Sequence, residues 1–234
     1  MIKLTKILFL LSIFVSLSHA YAKPSYSINY DMGFSAFNAE GLNKITEGLD
    51  SGYGTSFGHI RVPLALSGGF SLSFSRSVVA LELGYEFANR DSYSSIYNIT
   101  ENIKYSALPL GIKYSYRFYD KGKWRFLGSL STGVMWVWFS MNNQPSLITG
   151  STSFETGASA WYISPSVEAI YYITRNVGFN AMLGARYAST SKFKYTSADS
   201  RHNNGDYVTF SDGSNLTMNI SGLKFLIGII LSWG

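Results

Sequence analysis

Apolar and polar side chains alternate residue by residue along much of the chain. From Gly222 to Gly234 the odd-numbered positions carry large apolar side chains, and most positions between them are small or polar. Residues 25–36 alternate in the same way, and six further segments follow the pattern. A period of two indicates β-strands, because successive side chains of a strand point to opposite faces of the sheet. The pattern therefore predicts about eight strands.

The connections between the predicted strands are of two kinds. Short turns are predicted after the second, fourth and sixth strands, at residues 75–77, 120–123 and 174–176. The other connections are long and rich in Asn, Ser, Thr and Gly. Short turns at one end and long loops at the other are typical of up-and-down barrels of the outer membrane.

Composition indicates which face of this barrel meets lipid. Only 14% of the residues are charged, against about a quarter in soluble domains, and a mean hydropathy of +0.06 is too low for a bundle of membrane helices. The small polar face would be a bare surface for a soluble, lipocalin-like barrel, but it fits the narrow interior of an eight-stranded one. We predict an all-β fold: an eight-stranded antiparallel up-and-down transmembrane β-barrel with short periplasmic turns and long extracellular loops.

Large aromatic side chains gather near both ends of the apolar face. One group is predicted near the tight turns and the other toward the long loops, as expected for the two interfaces between lipid and water. The predicted aromatic girdles comprise Tyr26, Phe34, Phe74, Phe87, Phe118, Trp124, Trp136, Trp138, Trp161, Phe179, Tyr187 and Trp233.

Charged residues at the alternate positions form a predicted lumen cluster. Its seven cations and four anions leave a formal excess of +3. Charges in a narrow lumen must pair or neutralise, so we favour a barrel plugged by ion pairs. The alternative is a narrow water path with mild anion preference. The cluster comprises Asp31, Arg61, Glu82, Glu86, Arg90, Lys113, Arg117, Arg125, Glu168, Arg186 and Lys224.

Two arginines of this cluster are expected to meet at the periplasmic mouth. If the turn at residues 120–123 closes tightly, Arg117 and Arg125 face each other across it. Because like charges repel, we expect Glu168 on the sixth strand, or another anion, to lie between them.

Three prolines fall inside or at the start of predicted strands, where each removes a hydrogen bond from the ladder. A bulge or a strand start would accommodate Pro63 and Pro109, with Pro63 placed before its strand. The pattern offers no account of Pro165.

The first 22 residues are predicted to be a cleaved signal peptide. Lys3 and Lys6 precede an apolar run at residues 7–17, and the small residues Ala20 and Ala22 form a cleavage site. The apolar run is shorter than the roughly 20 residues of a spanning helix. Residues 23–234 are then expected to form a single outer-membrane barrel domain.

Three runs resemble the small outer-membrane β-barrel families, including the OmpX type, the membrane domain of the OmpA type and the opacity-type surface proteins. They are LPLGIKYSYRF (108–118), SPSVEAIYYITRNVGFNAMLGARY (164–187) and SGLKFLIGIILSW (221–233). The resemblance covers nearly all of the predicted mature chain and lies in patterns rather than signature residues. It implies location in the cell outer membrane, assembly by the insertion machinery, and contact with outer-membrane lipid and lipopolysaccharide. Such families usually end on an aromatic residue, whereas Trp233 is followed here by Gly234.

Residues suited to catalysis or cofactor binding are sparse. The predicted mature chain has two histidines: alternation turns His59 inward, and His202 lies in a polar loop. The chain has no cysteine, and Asp199, Asp206 and Asp212 near His202 match no calcium or zinc spacing. We therefore predict no enzyme, no cofactor and no metal site, with a lipid-modifying barrel enzyme the least favoured alternative. Without a Lys/Arg cluster, nucleic acid is not expected as a partner.

The long loops are the remaining candidates for function. Leu42, Ile45 and Leu49 have helical spacing in the first loop, and the fourth loop, roughly residues 190–215, is polar and aromatic. Long exposed loops on a rigid scaffold are where recognition usually resides. We predict a non-enzymatic, monomeric surface protein whose extracellular loops mediate envelope or surface interactions with a ligand that is not identified. A small pore for ions or small solutes is the main alternative.

Overall fold

The computed structural model describes residues 24–37, 62–94, 99–145, 153–196, 203–209 and 213–234. The predicted signal peptide, most of the first connection, and the residues Arg61, His59 and His202 lie outside the described residues.

The described residues form a closed antiparallel ring. Each long strand pairs with its neighbours in sequence, and β1 pairs with β9 to close the barrel. The ring has eight strands, because β8 only adds to the outer end of β6. This confirms the predicted fold. The strands are β1 (Ser25–Phe37), β2 (Leu64–Phe74), β3 (Ser77–Ser94), β4 (Ile99–Lys121), β5 (Trp124–Pro145), β6 (Ser153–Tyr172), β7 (Val177–Thr190), β8 (Lys194–Tyr195) and β9 (Gly222–Trp233).

The two faces of β1 show how the alternation is used. Ser27, Asn29 and Asp31 are buried inside the barrel, whereas Ile28 and Tyr30 between them are exposed on the outside. A continuous outer wall of apolar side chains would be costly in water and is favourable against lipid. We call the stretches with this polarity the membrane layer; they include residues 25–36 of β1, 108–118 of β4 and 222–233 of β9. No helix among the described residues is long and apolar enough to cross a bilayer.

Glycines at the seam between β1 and β9 allow the two strands to approach closely. A Cβ built on Gly33 would overlap the carbonyl oxygen of Phe225, and one built on Gly228 would overlap that of Tyr30. A side chain at either position would force the backbones apart, so the closure of the ring depends on these two glycines.

The prolines are accommodated by small neighbours. Pro63 precedes β2, as expected, and its carbonyl accepts a hydrogen bond from the backbone of Ser35 at 3.1 Å. The β3–β4 and β6–β7 ladders are each interrupted next to a proline. At these points Gly84 leaves room for the ring of Pro109, and Gly184 lies against the carbonyl of Pro165. A glycine on the neighbouring strand therefore supplies the account that the sequence lacked for Pro165.

Strand length divides the barrel into a short side and a tall side. β1, β2, β7 and β9 have 11 to 14 residues, whereas β3 to β6 have 18 to 23. The connections after β3 and β5 span only residues 95–98 and 146–152. Two connections that the sequence pattern assigned to long loops are therefore largely strand. The connections after β1 and β7, residues 38–63 and 191–221, are long as predicted.

The upper parts of the tall strands enclose an apolar core together with the connection after β7. Within that connection, the backbone N–H of Phe193 donates to Leu216 at 3.0 Å, and that of Val208 donates to Phe193 at 3.0 Å. The described residues of the connection thereby pack together against the upper part of the barrel. We call the buried apolar cluster the cap core: Phe37, Ile103, Tyr105, Ala107, Met135, Val137, Phe139, Met141, Ala160, Tyr162, Ala188, Phe193, Val208, Leu216, Met218 and Ile220.

Candidate functional site

A lysine at the centre of the lumen holds two carboxylates. The ammonium nitrogen of Lys113 lies 2.7 Å from Glu82 and 3.0 Å from Glu168. Ser131 donates a hydrogen bond to Glu82 at 3.0 Å, and Ser129 donates to Glu168 at 2.8 Å. We call these five residues the lysine network. It joins four neighbouring strands, β3 to β6, and each of its carboxylates accepts bonds from both an ammonium and a hydroxyl group, which offsets the cost of burying charge.

Asp31 on the short side of the barrel is held by amides instead of a cation. Its carboxylate accepts hydrogen bonds from the side chains of Asn29 and Asn180, the latter at 2.6 Å. The carboxylate lies within 4 Å of no cation among the described residues. Neutral donors therefore stabilise this buried acid.

A second buried ion pair lies directly beneath the cap core. A guanidinium nitrogen of Arg186 lies 2.5 Å from a carboxylate oxygen of Glu86, and the two side chains are 4% and 1% exposed, respectively. Arg186 also donates to the carbonyl of Ile220 at 3.1 Å, which ties the barrel wall to the cap core. One nitrogen of Arg186 and one oxygen of Glu86 have no hydrogen-bond partner in the part of the chain that the structure describes. Lys224 points inward nearby, half-buried, without an ion pair among the described residues.

The periplasmic mouth departs from the prediction. Arg117 and Arg125 do share an anion, but it is Asp120, at 2.9 Å and 3.3 Å respectively, whereas Glu168 belongs to the lysine network. A β-bulge between Arg117 and Tyr119 shifts the register by one residue and turns Asp120 toward the arginines. The sequence pattern assigned Asp120 to the turn at residues 120–123, so its contact with the two arginines was not predicted.

The predicted charge excess is not found in the described lumen. Arg90 is exposed and does not reach the lumen, because β2 begins opposite Phe87 and leaves the higher part of β3 without that neighbour. Arg61 lies outside the described residues. With Asp120 added, the described inward-facing charges are five cations and five anions, which balance. They are Lys113, Arg117, Arg125, Arg186 and Lys224 against Asp31, Glu82, Glu86, Asp120 and Glu168.

The structure places all but one of the predicted girdle residues on the exposed outer surface. At the periplasmic end the aromatic rings contact one another. The ring centres of Trp124 and Tyr171 are 4.8 Å apart, and those of Tyr26 and Trp233, across the seam between β1 and β9, are 6.4 Å apart. Phe74 is the exception, with 8% exposure. It is the last residue of β2, and the chain turns immediately after it through Ser75 at a φ of 54°, so the outward alternation ends there.

The cap core was not expected from the sequence. Phe193 was assigned to a polar exposed loop, yet it is fully buried. A signal was present, because Leu216, Met218 and Ile220 alternate with polar residues just before β9. Their alternation was not recognised because they precede the predicted strand.

A cavity of about 50 Å³ lies at the periplasmic end of the lumen, between the lysine network and the arginines of the mouth. Lys113, Arg117, Asn180 and Tyr172 are among its lining residues. This volume holds a few water molecules and is too small for an organic solute. Among the described residues, no three His, Asp or Glu side chains lie close enough to hold a metal ion.

Comparison with known proteins identifies the fold. Neither a protein-family model nor a curated protein matches the chain in sequence. A major outer membrane protein from Thermus thermophilus matches in structure with a TM-score of 0.54 and 11% identity, over 90% of this chain and 100% of that one. The attachment invasion locus protein Ail of Yersinia pestis, in complex with a heparin analogue, matches at 0.37 and 13%, over 90% and 97%. Neisserial surface protein A matches at 0.38 and 12%, over 89% and 95%.

Because the sequence identities are this low, the structural matches show the fold alone. The match to the Thermus protein, with a TM-score of 0.54, is close enough to show it. The chain therefore has the fold of an outer-membrane β-barrel, as the resemblance of its sequence runs indicated. That fold, together with the apolar outer wall of the membrane layer, supports location in an outer membrane.

Proposed function

We propose that this protein is a closed, non-enzymatic barrel of the outer membrane whose extracellular part mediates envelope or surface interactions. The observation that supports this proposal is the presence of two groups of buried side chains inside the barrel, which we infer obstruct the lumen. The lysine network lies in the lumen of the membrane layer, and the cap core packs inside the barrel above it.

The two obstructions block ions for different chemical reasons. Each is therefore expected to keep the lumen closed without the other. An ion crossing the membrane layer would have to break the contacts of Lys113 with Glu82 and Glu168. An ion crossing the cap core would have to leave water for a tightly packed apolar region. The balanced charges of the described lumen also remove the reason for expecting anion preference, so the pore is the less favoured function.

The extracellular surface is built on the tall side of the barrel. On their outer faces, β3 and β4 carry exposed polar side chains above the membrane layer, including Asp91 and Lys104. In the connection after β7, the ammonium groups of Lys192 and Lys194 lie over the ring of Tyr207, at 5.4 Å and 4.9 Å from its centre. A rigid, polar platform of this kind suits recognition of a surface partner.

The proposal includes the export of the chain and its place in the outer membrane. Residues 1–22 act as a signal peptide, the insertion machinery assembles the barrel, and the mature protein is a monomer in contact with outer-membrane lipid and lipopolysaccharide. It takes neither nucleic acid nor a cofactor.

Conductance across planar lipid bilayers tests the closed lumen. The refolded protein is expected to give no steady single-channel steps. In one variant a Gly-Ser linker replaces residues 192–218, which opens the cap core by removing Phe193, Val208, Leu216 and Met218. In a second variant Lys113, Glu82 and Glu168 become alanine, and each of the two variants is expected to stay closed. Their combination with Glu86→Met and Arg186→Met, which removes the second buried ion pair of the lumen, is expected to conduct.

Steady anion-favouring steps from the unaltered protein that disappear on Arg186→Met would establish the pore instead. Heat-dependent gel mobility checks that each variant has folded. The enzyme alternative has its own test: incubation with lipid A is expected to leave the acyl pattern unchanged, and altered acylation would overturn the non-enzymatic part of the proposal.

A further inference from the structure

The outer wall changes from apolar to polar toward the extracellular end of the barrel. On five adjacent strands, an outward apolar residue is followed one step higher on the same face by a polar one. The pairs are Phe87 and Asn89, Leu108 and Ser106, Trp138 and Ser140, Trp161 and Ser159, and Tyr187 and Ser189. This change marks the extracellular interface, where lipid chains give way to headgroups.

A groove of about 620 Å³ opens on the outside of the barrel at this level. It lies where β6 and β7 meet the connection after β7, and its volume falls within the range of about 300–1,000 Å³ found for small-molecule sites. Trp161 and Tyr187 form its lower edge and are 67% and 59% exposed. Ser159, Ser189, Ser191 and Asn219 lie along its upper part.

The backbone of the groove is fixed, whereas some of its polar side chains are free. The backbone N–H of Ser191 donates to the carbonyl of Ser159 at 2.7 Å, and Ser189 and Asn219 form an isolated bridge. The hydroxyl of Ser189 and the side-chain nitrogen of Asn219 have no hydrogen-bond partner among the described residues. Polar groups held on a fixed backbone and open to the groove are available to a ligand.

The uncharged polar and aromatic side chains that line the groove favour a sugar as its ligand. Among the residues that the structure describes, no charged side chain lines the groove, so a bare phosphate or carboxylate finds no counter-ion there. Hydroxyl and amide groups above the interface do not favour an acyl chain. A pyranose ring offers C–H bonds to the negative faces of the two aromatic rings and hydroxyl groups to the serines and Asn219.

We propose that this groove binds the saccharide headgroup of an outer-leaflet glycolipid. The inference rests on the proposed placement in an outer membrane but is independent of whether the lumen conducts. The glycolipid stands beside the barrel with its acyl chains along the membrane layer, and the core sugar rings beyond its lipid anchor lie against Trp161 and Tyr187.

Binding of the delipidated core oligosaccharide of lipopolysaccharide tests the site. The full chain is refolded into phospholipid nanodiscs and titrated with the oligosaccharide in a calorimeter. Saturable binding is expected, and Trp161→Leu is expected to weaken it about tenfold, the equivalent of about 1.4 kcal/mol. Trp136→Leu is the matched control, because Trp136 is an exposed tryptophan of the same girdle, 40% exposed, that does not line the groove.

Several results would overturn the proposal. They are the absence of saturable binding by a correctly folded barrel, equal losses for the two tryptophan variants, or equally strong binding of lipid A without core sugars. A barrel that inserts and stays closed while failing to bind would refute the saccharide site and leave the proposed function standing. If Trp161→Leu does not fold, the double variant Ser189→Ala/Asn219→Ala, above the apolar wall, is expected to weaken binding at least about threefold; unchanged binding would refute the site.

Discussion

Within β4, Lys113 and Ser115 face inward in the membrane layer, whereas Ile103 and Tyr105 face inward higher up, in the cap core. The outward side chains reverse as well, from Ile112 below to the exposed Lys104 above. One strand thus serves two regions of opposite polarity. The membrane layer is apolar outside and mainly polar inside, apart from a small apolar cluster near the periplasmic turns that comprises Val78, Leu127, Ile170, Tyr172 and Ile230. The cap core has the arrangement of a water-soluble protein.

The comparison shows that the surrounding solvent determines which face of a strand carries the apolar side chains. The alternation of side chains between the two faces continues unchanged along the strand. Below Leu108 the outside of β4 meets lipid, so its large apolar residues lie outward. Above Ala107 the outside meets water, so apolar residues stabilise the protein only when they lie inward. The two regions should therefore respond differently to substitution.

The largest expected effect is in the membrane layer. Arg186→Met leaves the Glu86 carboxylate buried without its cation, and should lower the free energy of unfolding by about 3–5 kcal/mol. The double variant Glu86→Met/Arg186→Met removes both charges and should recover most of that loss. Urea unfolding in lipid vesicles, followed by tryptophan fluorescence, measures both.

Arg90→Met is the matched control, since Arg90 is exposed, and a change within about 0.5 kcal/mol is expected. Equal losses for the single and double variants would mean that the uncompensated charge is not what destabilises the membrane layer.

A large but local effect is expected in the cap core. Phe193→Ala deletes a fully buried ring and should cost about 3 kcal/mol of local stability. Hydrogen exchange at the backbone N–H groups of Phe193, Val208 and Leu216 should accelerate, while the urea midpoint of the barrel stays in place. Tyr207→Ala, in an exposed ring of the same connection, should change exchange little.

A shift of the barrel midpoint as large as that of Arg186→Met would show that the cap core and the membrane layer unfold as one unit. The distinction between the two regions would then be one of polarity alone.

A smaller effect is expected at the edge of the lysine network. Ser129→Ala removes the hydroxyl that donates to Glu168 at 2.8 Å and should cost about 1.5–3 kcal/mol, as for a hydrogen bond to a charged group. Ser106→Ala, on the outer face of β4, should lie within about 0.5 kcal/mol of the unaltered protein in the same unfolding assay. Equal effects would contradict an energetic role for the inward hydroxyl.

The smallest effect is expected at the periplasmic mouth. Asp120→Asn weakens contacts to Arg117 and Arg125, but the Asp120 side chain is 40% exposed. Such pairs contribute about 0–1 kcal/mol and are screened by salt. The difference from the unaltered protein should shrink further between low and high salt. A loss comparable to that of Arg186→Met would mean that the mouth behaves like the buried lumen.

Alternation was sufficient to predict the ring, its faces and the inward position of residues such as Lys113 and Arg186. It failed where the solvent or the register changed. The apolar positions of β4 switch from odd to even between Ala107 and Leu108, so a search for one continuous pattern ended the strand there. In β5 both faces are apolar around Trp136 and Val137, so the alternation does not show that the strand continues beyond Trp138.

Other features depend on contacts between distant parts of the chain. The bulge that turns Asp120 inward is a local change of register without a signature residue. The burial of Phe193 depends on the tall strands, whose height the sequence pattern did not indicate. The inward turn of Asp120 and the burial of Phe193 both depend on tertiary packing, which the periodicity of a single sequence does not reveal.

A cysteine scan along β4 tests the reversal of polarity most directly. The chain has no cysteine of its own, so single cysteines at residues 102–115 can be probed without background. We expect a water-soluble thiol reagent to label positions 102 and 104, and a lipid-borne quencher to reach labels attached at positions 110, 112 and 114. Odd positions from 103 to 115 should resist both. Rapid labelling of positions 113 and 115 by the water-soluble reagent, together with lipid access at 104, would contradict a closed barrel with two opposite polarities.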